Sequence, residues 1–175
     1  MRPAILLAVI FGAAAGPAAG DVLESAPDHY TLRQEAVSPL APDALWERLI
    51  EPASWWQSEH TWSGSADNLT LEATAGGLWA ERWDGNTVAH GTVLAALETR
   101  MLRLEAPFGP LQGMGVTVTW TITLVPDEET GGTRIVFDEI ANGSSHSGLD
   151  QLALAVDRVK TEAVQRLAAG TGADD

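Results

Sequence analysis

The sequence predicts an α+β fold: a curved antiparallel sheet of about seven strands wrapped around one long C-terminal helix, with two short helices after the first strand. Three observations predict it. Residues 68 to 141 hold six successive runs with period-two alternation, joined by short turn-like connections. Residues 147 to 170 instead carry apolar residues at helical spacing. Before both lies one alternating run followed by a proline-bounded helical stripe.

Taken in order, "HYTLRQEAV" (29 to 37) places Tyr30, Leu32 and Ala36 on one side and fits an edge strand. In "SPLAPDALWERLIEP", Pro42 suits a first helical turn, Leu45, Trp46, Leu49 and Ile50 form a stripe, and Pro52 stops it. A one-turn helix over Ala53 to Gln57 follows. The six runs are "NLTLEAT", "GGLWAERW", "NTVAHGTVLAALE", "RMLRLEAP", "GVTVTWTITLVP" and "TRIVFDEIA". Asp84-Gly85 between the second and third is a type I′ hairpin signal. Val116, Val118, Trp120, Ile122 and Leu124 alternate with four threonines, which gives the sheet a dry face and a wet face. Leu149, Leu152, Ala153, Val156, Val159, Ala163 and Leu167 form the stripe of the last helix, with Ser147 and Asp150 at capping-box spacing and Gly170 as its stop. That stripe needs an apolar partner, and the dry sheet face is the large one on offer.

Residues 1 to 20, "MRPAILLAVIFGAAAGPAAG", have the pattern of a secretory signal, with Ala18 and Gly20 before a cleavage point at Asp21. The apolar run is shorter than the roughly 20 residues that span a bilayer, so stable membrane insertion is not expected. Residues 21 to 28 read as a linker, 29 to 169 as one domain and 170 to 175 as a disordered tail. A periplasmic or secreted location follows from the signal. With no cysteine in the chain, no disulfide supports the fold, so the core must hold it alone. The 24 acidic against 10 basic residues, net charge −14, disfavour nucleic acid and anionic membranes as partners.

The order of elements resembles the helix-grip fold of the START/polyketide-cyclase (SRPBCC) superfamily. "SPLAPDALWERLIEPASWW" is similar to the family's opening, "AGGLWAERWDGNTVAHGTV" to its Gly-Gly hairpin, and "GGTRIVFDE" to the strand before its closing helix. The wording is closest to the subgroup similar to the Hsp90-ATPase-activator C-terminal domain, and the resemblance covers residues 29 to 169. It implies a cavity between sheet and helix that binds apolar or amphipathic small molecules. Some members are cyclases acting on polyketides. An exported chain would not meet Hsp90, so that partner is not expected.

The candidate site residues follow from alternation. The seven tryptophans include Trp46, Trp55, Trp56 and Trp62 within one short stretch, and such residues serve equally as core or as pocket wall. Trp79, Trp83 and Trp120 are placed on inward strand faces, and Trp55 near the cavity mouth; with Phe137 and Glu139 they form the expected ligand-binding set. Glu139 shares a face with Ile135 and Phe137, and Glu81 shares one with Trp79 and Trp83. Each carboxylate is either a buried polar anchor or a wet strand-end residue. Glu139, Glu81 and His90 are the candidate acids or bases if the protein is an enzyme of cyclase, hydrolase or isomerase type. The four histidines show no metal-ligand spacing, and no cofactor motif is present, so neither a metal nor a cofactor is expected.

Overall fold

The computed structural model describes residues 19–170. The expected signal sequence, apart from Ala19 and Gly20, and the tail from residue 171 lie outside the described residues.

Among the described residues, eight strands form one antiparallel sheet: β1 (Ala19–Ala26), β2 (His29–Ser38), β3 (Leu69–Leu71), β4 (Leu78–Trp83), β5 (Asn86–Leu97), β6 (Met101–Glu105), β7 (Thr117–Pro126) and β8 (Thr133–Asn142). Their spatial order is β1-β2-β8-β7-β6-β5-β4-β3, so the meander β3 to β8 runs continuously and β2 joins it beside β8. Between β2 and β3 lie the helix α1 (Pro42–Leu49) and three single 3-10 turns, at Pro52–Ser54, Ser58–His60 and Ala66–Asn68. A short helix, α2 (Pro110–Gly113), follows β6, and α3 (Leu149–Ala168) closes the fold against the sheet. This is the expected helix-grip arrangement, with one strand more than expected.

That extra strand corrects two readings. Residues 21 to 26 of the expected linker are strand: with Ala19 and Gly20 they form β1, paired with β2 from Ala19↔Glu35 to Ala26↔His29. β2 is therefore an interior strand, bonded to β8 on its other side, and β1 takes the edge. The stretch lacks clear alternation because its register shifts between Val22 and Glu24. The single turn expected over Ala53 to Gln57 is divided between the 3-10 turns at Pro52–Ser54 and Ser58–His60. The capping box is also absent. Gly148, in the left-handed conformation with φ 63°, precedes α3, and the Ser147 hydroxyl accepts from the Ser144 amide instead.

The Asp84-Gly85 turn has φ of 44° and 80°, the two positive values that a type I′ hairpin requires. β7 buries Val118, Trp120, Ile122 and Leu124 at alternate positions, and its threonines face away. The main core joins Trp120, Ile122 and Leu124 to Leu45, Trp46 and Leu49 of α1 and to Ala163, Val164 and Leu167 of α3, while Val118 packs in a second cluster with Tyr30, Leu32 and Leu149.

Candidate functional site

Strand alternation carries Glu139 inward beside Phe137 and Ala141, where it is 1% exposed. A carboxylate taken out of water must find partners. Two elements supply them: the Tyr30 hydroxyl of β2 donates to Oε1 at 2.7 Å, and Lys160 Nζ of α3 lies 2.7 Å from Oε2. The ammonium also lies 3.1 Å from the ring centre of Trp120 and 4.8 Å from that of Phe108. Burial pushes the Lys160 amine below its ordinary value, and Glu139 opposes that shift. Burial, reinforced by Glu139, pushes the Tyr30 phenol far up, so it remains a donor.

A second acid–base pair is built by a bulge. Across the β4–β5 ladder, Trp79 faces Gly91 and Ala80 faces Ala89, which leaves His90 as the extra residue. Its ring turns inward and is 3% exposed. His90 Nε2 lies 2.8 Å from Glu81 Oε2, and Glu81 also accepts from the backbone amides of Trp62, at 3.0 Å, and of Ser63. Burial acts to raise the Glu81 carboxyl, but hydrogen bonds from Ser63, Trp62 and His90 outweigh it and hold the group below its ordinary value. His90 is held below 6.5, chiefly by burial against the opposing pull of Glu81. The result is an ionised carboxylate and a neutral imidazole at neutral pH.

Aromatic rings separate the two pairs. Trp55, Trp56, Trp79 and Trp120 meet edge to face or tilted, with centroids 5.5 to 6.2 Å apart. Phe108 stacks on Trp56 at 5.2 Å and on His90 at 5.4 Å. Between these rings, the Glu59–Trp62 segment, the start of α2 and one flank of α3 lies a cavity of about 620 Å³. That volume suits a small-molecule ligand. Its walls are mostly apolar: Trp56, Phe108 and Leu111 face Leu152, Val156 and Val159. His90 and Lys160 are the buried polar groups on its wall, and exposed Trp62 borders it on the solvent side.

The structure divides the sequence-predicted residues. His90 lines the cavity. Glu81 and Glu139 are buried behind it as the partners of His90 and Lys160, and neither sits at a wet strand end. Trp55, Trp79, Trp120 and Phe137 are fully buried in the aromatic core and do not line the cavity; the three indoles each meet Trp56, which does, while Phe137 lies one ring further back, against Trp55 and Trp120. Trp83 does neither. It ends β4, half-buried, one hairpin turn from solvent.

Three residues of the site escaped sequence reasoning. Lys160 had a readable signal: it is the charged member of the row Ala153, Val156, Lys160, Ala163, Leu167 on α3. Tyr30 was placed inward, without a partner. Phe108 had no signal, because it sits in the irregular connection between β6 and α2. Among the described residues, no cluster of histidines and acids is placed to hold a metal, and no helix is long and apolar enough to cross a membrane.

No protein-family model matches the sequence, and no curated protein matches it. Solved structures do match in fold. A Mycobacterium smegmatis protein superposes with a TM-score of 0.57 at 18% identity, over 87% of this chain and 96% of its own. A Rhodobacter sphaeroides protein gives 0.55 at 20% identity, over 86% and 96%. Ara h 8.0201 gives 0.52 at 14% identity, over 80% and 95%. At such identities the likeness shows the fold alone, the helix grip of sheet and long C-terminal helix described above.

Proposed function

We propose that the protein is an exported carrier that holds a small apolar or amphipathic molecule between its sheet and α3. The observation that carries this reading is the cavity of about 620 Å³ with apolar walls and two inward polar side chains. A guest that buries apolar surface there gains about 25 cal/mol per Å² before the cost of ordering it is subtracted. The N-terminal signal pattern supports export to the periplasm or the medium, and export argues against the Hsp90 role of the subgroup that the sequence resembles. The net charge of −14 argues against nucleic acid as a partner.

Native mass spectrometry of protein purified from its own host tests the reading, together with a panel of fatty acids, sterols and aromatic hydrocarbons added to delipidated protein. The expected outcome is a co-purifying small mass, and a rise in melting temperature with a tryptophan fluorescence change for one ligand class. Delipidated protein that responds to nothing across the panel would falsify it. Acid–base catalysis is the second reading, favoured by the Glu81–His90 pair on the cavity wall. It requires turnover that is lost in His90→Gln while ligand binding persists.

A further inference from the structure

His90 uses only half of its hydrogen-bonding capacity. Nε2 engages Glu81 at 2.8 Å, whereas Nδ1 hydrogen-bonds no described residue and the ring lines the cavity. An ionised carboxylate can only accept, so the Nε2 bond requires the proton on that nitrogen and leaves the lone pair on Nδ1. The backbone amides of Trp62 and Ser63 keep Glu81 in that role. The ring is also fixed in orientation. Phe108 lies against it at 24° between planes, and Trp56 lies against Phe108 at 23°.

The cavity wall is thus a stack of three flat rings that ends in one acceptor. Lys160 also lines the cavity, but its side chain is buried, with Nζ 2.7 Å from Glu139 Oε2 and 3.1 Å from the Trp120 ring centre. Glu59, His60 and Thr61 lie on the segment between β2 and β3, with His60 Nε2 3.9 Å from Glu162.

We propose that the cavity selects flat apolar molecules carrying one hydrogen-bond donor, an O–H or N–H, which His90 Nδ1 accepts. Glu81 is then a positioning residue that fixes the imidazole tautomer. This rests on the carrier reading and narrows it. A guest with no donor covers Nδ1 without satisfying it, and that loss is what discriminates between ligands.

Calorimetric titration of the full chain with 2-naphthol and with its methyl ether, 2-methoxynaphthalene, tests the proposal, alongside nitrogen–proton NMR of the His90 ring. The expected result is about tenfold tighter binding of 2-naphthol, in keeping with one buried hydrogen bond. That preference disappears in His90→Phe, which keeps the ring stack. The spectrum shows the proton on Nε2 in the wild type and a mixture of tautomers in Glu81→Gln, a change that a merely structural role for Glu81 would not produce. Should His90→Phe not fold, the two probes and the ring spectrum of the wild type decide the matter. Equal affinity for the two probes, or a proton on Nδ1, overturns the acceptor assignment and leaves the carrier reading standing. Failure of both probes to bind overturns selection for flat donors, and the ligand panel then decides the carrier reading separately.

Discussion

Lys160 is the residue on which the energetics of the interior turn. Its ammonium has been taken out of water for one carboxylate, 2.7 Å away, and for aromatic faces. Pairs of this kind rarely repay their desolvation, but breaking one strands the other charge at a cost of about 3–5 kcal/mol. Lys160→Met is therefore expected to destabilise the protein strongly in urea, and Lys160→Met with Glu139→Gln to recover most of the loss. Additive losses in the double-mutant cycle would show that the pair is not coupled.

His90 and Glu81 set the response to acid. His90 is held below 6.5 in the fold, so on acidification the unfolded chain takes up that proton first. Stability therefore falls as pH drops from 6.5 to the depressed folded value. Glu81 is also held below its ordinary 4.5, so its contribution is complete above 4.5 and is lost as pH falls through its folded value. Melting temperature measured from pH 7 downward should fall in both ranges, and His90→Phe should remove the upper one.

At the scale of elements, the β5 bulge does most to shape the site. By inserting one residue opposite β4 it leaves His90 without a ladder partner, and His90 and Gly91 are buried in succession. Gly91 is required there: a Cβ would lie 2.8 Å from that of Ala106 and 2.9 Å from the Glu105 carbonyl oxygen, both on the segment that passes beside it. Gly91→Ala is expected to cost about 1–3 kcal/mol by overpacking. It should also broaden the His90 ring signals, because the bulge that aims the ring must shift. An unchanged denaturation midpoint would show that the segments separate freely.

The same element marks the limit of what the sequence discloses. Period-two patterning placed Glu139, Trp79 and Trp120 on inward faces, since a residue's parity survives wherever the ladder is regular. It mis-assigned Trp83, because parity loses meaning at a strand end, and it missed β1, whose alternation a register shift interrupts. A bulge leaves no mark in composition, so the turning of His90 into the cavity depends on distant packing. Lys160 could have been found, since a lone charge within an apolar row is a local signal.

For the whole molecule, β1 links the sheet to α3. A Cβ at Gly20 would lie 2.2 Å from the Thr161 hydroxyl oxygen, so strand and helix meet there with no room for a side chain. Cleavage before Asp21 would keep the pairing from Asp21↔Arg33 to Ala26↔His29 and so most of the edge. Deletion through Ala26 would instead bare β2, whose Tyr30 and Leu32 are fully buried. A fall of several degrees in melting temperature is expected for that deletion, measured by calorimetry, and little change for loss of the residues before Asp21.

The mutual approach of four indoles, each within about 6 Å of at least two others, has an optical consequence. Chromophores so close and so fixed share their excitation, and their circular dichroism is a property of the group. Any guest that tilts Trp56 alters the signal of all four, so the polypeptide carries a built-in gauge of occupancy that needs no added dye.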